Sequence, residues 1–166
     1  MVAVKFGNEA YYNGNMEKAL QSYEQAEKLM TTLKSERGMS ICYNNKANVL
    51  KQLGKIIEAE KLYNKSIEII LKLKENNPSK SKAYDVMISY RLMNLGVMYK
   101  DSGNLIKSKD LLERSLMLAR DTDNSIGIGK ISGNLGQLYL ELSNNSAYAK
   151  LWNINNLDFA KQARDI

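Results

Sequence analysis

A very small residue recurs along this chain in one fixed local setting, and that recurrence limits the folds open to it. Gly7, Ala47, Gly96 and Gly136 each follow a longer side chain and stand three positions before a core-type residue. The intervals between them are 40, 49 and 40 residues. Because small residues mark places where two helices approach closely, such a period predicts a repeated helical unit.

A turn signal follows each small residue after seven positions. Gly14, Gly54 and Gly103 hold this position in the first three copies, and the weaker breaker Ser143 holds it in the fourth. Glycine closes a helix in the left-handed conformation without steric cost, and a following asparagine such as Asn15 can cap the next helix. Each copy is therefore predicted to be a helix, a turn and a second helix.

The second helices carry a repeated stripe of a small, a large and a small residue. Spacings of four and then three positions place the members of each stripe on one helix face, where the large residue packs between its small neighbours. The stripe therefore predicts the face that packs against the first helix of the same copy. The three stripes are Ala19, Tyr23 and Ala26; Ala59, Tyr63 and Ser66; and Ser108, Leu112 and Ser115.

These signals predict eight antiparallel helices in four units of one array that spans residues 1–166. The single proline, Pro78, lies in the nine additional residues of the longer interval, which we interpret as a loop insertion. The units are predicted at about 2–34, 35–78, 79–122 and 123–166. Their helices are predicted at about 2–13, 15–33, 35–53, 55–75, 79–101, 104–121, 123–142 and 146–165.

Composition agrees with an all-α protein and disfavours several functions. Apolar residues make up 44% and charged residues 25% of the chain, as in ordinary globular proteins. With no histidine and with Cys42 as the single cysteine, the usual metal-ligand sets cannot be assembled, so we expect no cofactor. No paired carboxylates or phosphate-binding loop were found, so we expect no enzyme activity. The net charge of +6 comes from scattered residues, so nucleic acid is not an expected partner.

The repeated residues resemble the tetratricopeptide repeat, which has a Leu-Gly pair, an aromatic three residues on, a glycine turn and a small-aromatic-small second helix. The period near 40, with an asparagine before the pair, is similar to the repeats of kinesin light chain and the Pins-type adaptors. This resemblance implies a right-handed α-solenoid with about four units, in which the first helices line a concave groove. It also implies a non-enzymatic scaffold or adaptor that binds an extended peptide there.

Asparagine recurs two positions before the small residue, as Asn45, Asn94 and Asn134, directly before the pairs Lys46-Ala47, Leu95-Gly96 and Leu135-Gly136. An amide side chain can pair with both the C=O and the N–H of an extended backbone, and the resemblance implies that role for these three residues. The other interpretation left open is that they only bond a neighbouring helix. The remaining residues predicted to bind the peptide are Asn8, Asn48, Gln137, Tyr90 and the lysines Lys51, Lys100 and Lys130, with Lys5 adding charge attraction for an acidic peptide.

The alternative function is that of a structural subunit in a large cytoskeletal or ciliary assembly, held through uncapped ends. A repeat array needs polar caps, and the chain opens within a first helix and closes with Leu151, Trp152, Leu157 and Phe159 uncovered. We therefore expect a fragment of a longer repeat protein, or end-to-end contacts with other subunits. No apolar run is long enough to span a bilayer and no signal peptide is evident, so a cytoplasmic location is expected.

Overall fold

The computed structural model describes residues 2–145, and every regular element among them is helical. The predicted helix boundaries are confirmed to within two residues, and the eighth predicted helix, 146–165, lies outside the described residues. The helices are α1 (Val2–Tyr12), α2 (Met16–Thr32), α3 (Glu36–Gln52), α4 (Ile56–Asn76), α5 (Ser81–Asp101), α6 (Leu105–Asp121) and α7 (Ser125–Asn144), with a 3-10 turn at Pro78–Lys80.

The turns inside the first three helix pairs form as predicted. Gly14, Gly54 and Gly103 adopt φ values of 77°, 73° and 82°, the left-handed region that only glycine occupies without strain. Asn15 and Asn104 then cap the next helix, because the side-chain oxygen of each accepts the backbone N–H three residues later, at 3.0 and 3.2 Å. Each glycine therefore ends one helix and positions the start of the next.

Ser143 does not break its helix as predicted, and the helix ends two residues later than expected. α7 continues through Ser143 to Asn144, and Ser143 is buried within the helix. Its hydroxyl donates to the backbone oxygen of Leu140 at 2.8 Å, so the polar group is satisfied on the preceding turn. Serine needs no left-handed conformation, and with that hydrogen bond it remains helical where glycine would have ended the helix.

Two non-glycine residues take the left-handed conformation where a second helix gives way to a first helix. Lys34 has φ 50° between α2 and α3, and Asp123 has φ 55° between α6 and α7. Ser35 and Asn124 follow them and cap the next helix. The sequence carried no glycine at these turns, and their left-handed geometry was not predicted.

The chain divides into two compact units, residues 1–91 and 92–166, with the division inside α5. In the first unit α1 packs on α2, α2 on α3 and α3 on α4. In the second unit α6 packs on α7. The core of the first unit includes Val4, Ala10, Tyr23, Met30, Cys42 and Val49, and the core of the second includes Leu105, Leu112, Leu116, Ile131, Leu135 and Leu138.

The predicted close approach of paired helices is confirmed at Gly7 and Gly96, whereas the helix predicted to pack on Gly136 lies outside the described residues. All nine residues of the second-helix stripes are at most 2% exposed. A methyl group added to Gly96 would lie 2.9 Å from Cγ of Leu112, and one added to Gly7 would overlap the ring of Tyr23. The register inferred from the sequence is therefore the register of the packed helices.

Candidate functional site

The asparagines of the first unit form a small network between α1 and α3. Nδ2 of Asn45 donates to Oδ1 of Asn8 at 3.2 Å, and Nδ2 of Asn44 donates to Oδ1 of Asn45 at the same distance. All three side chains are half-buried. Two of the predicted peptide-binding residues, Asn8 and Asn45, are thus brought together and bonded to each other.

Asn8 and Asn48 also hold the large residue of the second-helix stripe. The hydroxyl of Tyr23 donates to Oδ1 of Asn8 at 2.8 Å, and the hydroxyl of Tyr63 donates to Oδ1 of Asn48. In both pairs the asparagine stands 15 residues before the tyrosine, directly after the small residue of its repeat. Burial of the ring is the main reason why the pKa of Tyr23 rises to about 12.

The third repeat shows why asparagine occupies this position in the first two. Its stripe carries Leu112 instead of tyrosine, and the residue 15 positions earlier is Val97, which packs against the cluster that contains Leu112. A leucine has no hydroxyl to satisfy, so no asparagine is needed. This paired change from Asn and Tyr to Val and Leu was visible in the sequence, and it indicates a scaffold role for Asn8 and Asn48.

Substitutions at the Asn8–Tyr23 pair should show unequal costs. We expect Tyr23→Phe to lower the free energy of unfolding by about 0.5–1.5 kcal/mol, because one hydrogen bond is lost. Asn8→Ala should cost more, about 1–3 kcal/mol, because the buried tyrosine hydroxyl loses its acceptor. Urea denaturation of the two variants measures the difference, and an Asn8→Ala cost below that of Tyr23→Phe would contradict this role of Asn8.

In the second unit, Asn94 and Asn134 lie on α5 and α7 at the same register position, and both are half-buried. Nδ2 of Asn134 donates to the backbone oxygen of Lys130 at 3.0 Å, one turn earlier in its own helix. Within the described part of the chain, this bond links the amide of Asn134 to its own helix and not to another one. Asn8 and Asn48 accept a tyrosine hydroxyl from the position directly after the small residue, and neither Asn94 nor Asn134 stands at that position.

Lys100 lies in a polar cluster between the end of α5 and α7. Its Nζ is 3.3 Å from Oε1 of Gln137, 3.5 Å from a carboxylate oxygen of Glu141 and 3.8 Å from one of Asp101. Only 12% of the Lys100 side chain is exposed. The structure therefore brings the predicted residues Lys100 and Gln137 together, and two carboxylates compensate the charge of the lysine.

The other predicted site residues lie at different depths. Lys130 is exposed on α7, whereas Lys51 on α3 and Tyr90 on α5 are half-buried. Lys5 is exposed on α1 and lies 3.9 Å from a carboxylate oxygen of Glu9, one turn later. An exposed pair of this kind contributes little to stability.

Sequence reasoning missed a buried cluster around Arg91, which is only 6% exposed. Its Nε donates to the hydroxyl oxygens of Ser66 at 2.7 Å and Ser40 at 3.2 Å, and Nη2 donates to that of Ser40 at 3.0 Å. Nη1 donates to the backbone oxygen of Met87 at 2.8 Å. One arginine on α5 thereby connects to a serine on α3 and a serine on α4.

A comparison between repeats could have revealed this cluster. Arg91 stands five residues before its small residue, Gly96, and the equivalent residues Cys42 and Ile131 are apolar and fully buried. An arginine at a core position of the repeat is the signal. Burial, and then the positive charge of Arg37, lowers the pKa of Arg91 to about 10, which leaves the guanidinium charged at neutral pH.

The remaining chemistry-bearing groups do not form a reactive centre among residues 2–145. Cys42 is fully buried, and burial raises the pKa of its thiol to about 11, as expected for an inert core residue. No group of three acidic, cysteine or histidine side chains in this part of the chain could hold a metal ion. None of the described helices combines the length and apolarity required to cross a bilayer.

The comparisons with known proteins agree with this geometry. Sequence models of the tetratricopeptide repeat match residues 4–72 and 90–122, more than half of the chain. The chain belongs to the tetratricopeptide repeat family, and its fold is the all-α solenoid predicted from the repeats. Members of this family are typically non-enzymatic scaffolds, and the repeats indicate a module for protein–protein interaction.

Among solved structures, the chain is similar to BtubC (BKLC) from P. vanneervenii, a bacterial kinesin light chain-like protein. The TM-score is 0.70 at 22% sequence identity, over 99% of this chain and 62% of that chain. This chain thus spans less than two thirds of that protein, and at this identity the likeness concerns the fold. No curated protein matches the chain in sequence.

Proposed function

We propose that this chain is an adaptor that binds an extended segment of a partner protein along the exposed faces of its first helices. The observation that carries the proposal is the asparagine at one register position in successive first helices, Asn94 and Asn134 in the second unit and Asn45 in the first. Amide side chains that recur along the repeats can form hydrogen bonds with the peptide groups that recur along the main chain of an extended ligand. Such binding depends little on the side chains of the ligand.

The hydrogen bonds already present rank the candidate contacts. Among residues 2–145, Asn134 bonds only to a carbonyl of its own helix, so its side-chain oxygen can accept a peptide N–H. Asn45 would exchange its bond to Asn8 for one to the peptide. Exposed Lys130 supplies attraction for an acidic residue, whereas the charge of Lys100 is already compensated by Glu141. We therefore propose Asn134 as the main contact, with Asn94, Gln137 and Lys130 as further contacts in the second unit.

The test is the double substitution of Asn94 and Asn134 by alanine. A library of random peptides displayed on phage is selected on the immobilised chain, and the enriched peptides are synthesised and titrated by calorimetry. We expect the double variant to bind them more weakly by at least about 1 kcal/mol, roughly fivefold in the dissociation constant, because two backbone contacts are lost.

The matched control replaces two exposed amides on second helices, Gln25 on α2 and Asn64 on α4. This Gln25→Ala, Asn64→Ala variant should bind the same peptides with unchanged affinity. If the Asn94, Asn134 variant binds as tightly as the unmodified chain, the proposed site is wrong. If no peptide is enriched on the unmodified chain, the binding of an extended peptide is wrong as well.

A second candidate function, that of a subunit in a larger assembly, is favoured by the outer face of α1. Val2 and Phe6 are 67% and 56% exposed. The equivalent residues of α7, Ile131 and Leu135, are at most 1% exposed because they pack in the core that α6 contributes to. The face of α1 is thus suited to a covering helix, and a second copy of the chain could supply one.

Sedimentation velocity tests this second candidate. We expect the unmodified chain to associate as its concentration rises, and Phe6→Lys to remain monomeric, because a charge in an apolar contact carries a large desolvation cost. Lys5→Gln, an exposed neighbour on the same helix, should associate like the unmodified chain. A chain that stays monomeric at every concentration would contradict self-association and favour the peptide-binding adaptor.

A further inference from the structure

The guanidinium of Arg91 has hydrogen-bonding capacity that the described residues leave unused. A guanidinium carries five N–H groups. Three of those of Arg91 donate hydrogen bonds: the one on Nε, one on Nη1 and one on Nη2. One N–H on each terminal nitrogen is therefore left without an acceptor among residues 2–145. These two groups belong to the nitrogens with which arginine binds a carboxylate or phosphate in a bidentate manner.

The charge of Arg91 is likewise uncompensated in this part of the chain. No carboxylate among residues 2–145 lies within ion-pair distance of Arg91, although the side chain is only 6% exposed. Its acceptors, Ser40, Ser66 and the backbone of Met87, are all neutral. Buried charges in proteins are normally paired, because the loss of hydration is otherwise uncompensated.

A second cation adds to this local excess of positive charge. Arg37 lies on the first turn of α3, one turn before Ser40, and its side chain is exposed. After burial, its positive charge is the second cause of the lowered pKa of Arg91. Arg37 thus adds positive charge at the start of α3.

We infer that Arg91 forms a binding site for an oxyanion, a carboxylate or phosphate group, in the first unit, and that the charge of Arg37 strengthens it. The unused N–H groups of Arg91 bind the oxyanion, while Ser40 and Ser66 fix the plane of the guanidinium. The positive charge of Arg37 attracts the ligand. Arg91 occupies a packing position of the repeat, so this site is distinct from the asparagine positions of the proposed function and does not depend on them.

The test measures thermal unfolding in sodium sulfate against sodium chloride at matched ionic strength, with sulfate as a simple tetrahedral oxyanion. A ligand that binds the folded state raises the unfolding temperature in a saturable manner. Sulfate also stabilises proteins without binding, so the same titration is run on Arg91→Met. We expect the unmodified chain to show a saturable rise that Arg91→Met lacks, with an apparent dissociation constant at least about tenfold higher in the variant.

Arg37→Gln provides a second variant, because its exposed side chain can be replaced without change to the core. It should weaken sulfate binding several-fold, and Lys61→Gln, an exposed cation on α4, should not. If Arg91→Met does not fold, the Arg37→Gln titration decides. Equal responses of the unmodified chain and of either arginine variant would overturn the proposal.

Parallel titrations with acetate and with phosphate distinguish the source of the oxyanion. Saturable binding of acetate together with weak binding of phosphate assigns the site to a carboxylate, such as an acidic side chain of a partner. The opposite order assigns it to a phosphate group. Saturation by neither anion, with sulfate also without effect, would overturn the proposal.

Discussion

Replacement of Gly96 by leucine is expected to lower the free energy of unfolding by about 1–3 kcal/mol. Gly96 is buried on α5, and even a methyl group there would lie 2.9 Å from Cγ of Leu112 and 3.1 Å from its Cδ2. Leu112 is fully buried in α6 and cannot move aside without displacing its own neighbours. A leucine at this position must therefore separate α5 from α6.

Gly133 offers a matched control for the same change. It is exposed on α7, and no described atom lies near the place where its Cβ would stand. Gly133→Leu should stabilise the protein by up to about 1 kcal/mol, since leucine is the better helix former. Denaturant titration of both variants measures the contrast, and a neutral Gly96→Leu variant would show that the inferred register of small residues does not control packing.

Replacement of Arg91 by methionine, in the absence of oxyanions, is expected to leave stability unchanged or to raise it by about 1–4 kcal/mol. Methionine fills a similar volume without a buried charge. The serines remain satisfied after the change, because the hydroxyl of Ser66 donates to the backbone oxygen of Ser40 at 2.7 Å and the hydroxyl of Ser40 donates to that of Ser66 at 3.0 Å. No buried polar group would lose its only partner.

The pH dependence of this effect has a definite sign. The pKa of Arg91 is lowered from 12.5 to about 10 in the folded state, so folding disfavours its charged form. The destabilisation caused by the buried charge of Arg91 is fully present below about pH 10. It decreases at higher pH, because Arg91 loses its proton in the folded state before it does so in the unfolded state. The advantage of Arg91→Met should therefore be largest at neutral pH.

Chemical denaturation at neutral pH and at pH 10.5 measures both expectations. Arg114→Met is the control, because Arg114 is 59% exposed and lies 3.4 Å from a carboxylate oxygen of Asp110. Its effect should be within about 0.5 kcal/mol at either pH, as for most exposed positions. A loss of several kcal/mol in Arg91→Met would instead show that the guanidinium stabilises the core.

Much of the helical framework could be predicted because its causes lie within a few residues. Gly14 ends a helix through its own backbone freedom, and Asn15 caps the next helix three residues on, so neither depends on distant contacts. Where the local signal was weak the prediction was wrong, since Ser143 remained helical through a hydrogen bond to the preceding turn.

The candidate site was less predictable, because the sequence places asparagines on a helix face without indicating their partners. Asn45 and Asn134 hold equivalent positions, yet one bonds Asn8 on another helix and the other bonds its own backbone. An amide can donate and accept in several directions, and the nearest partner decides which bond forms. The peptide-binding role of these residues remains a prediction for the titration experiments.

The sequence by itself determined the repeat, the helix boundaries and the packing register, because small residues, glycine turns and caps act over one or two helical turns. Only the tertiary structure decided what the buried polar groups bind. Arg91 meets serines that are 25 and 51 residues away, and Tyr23 meets an asparagine on the preceding helix. Such pairings arise only after the helices pack, when burial removes water and each polar group must bond to whatever neighbour the fold supplies.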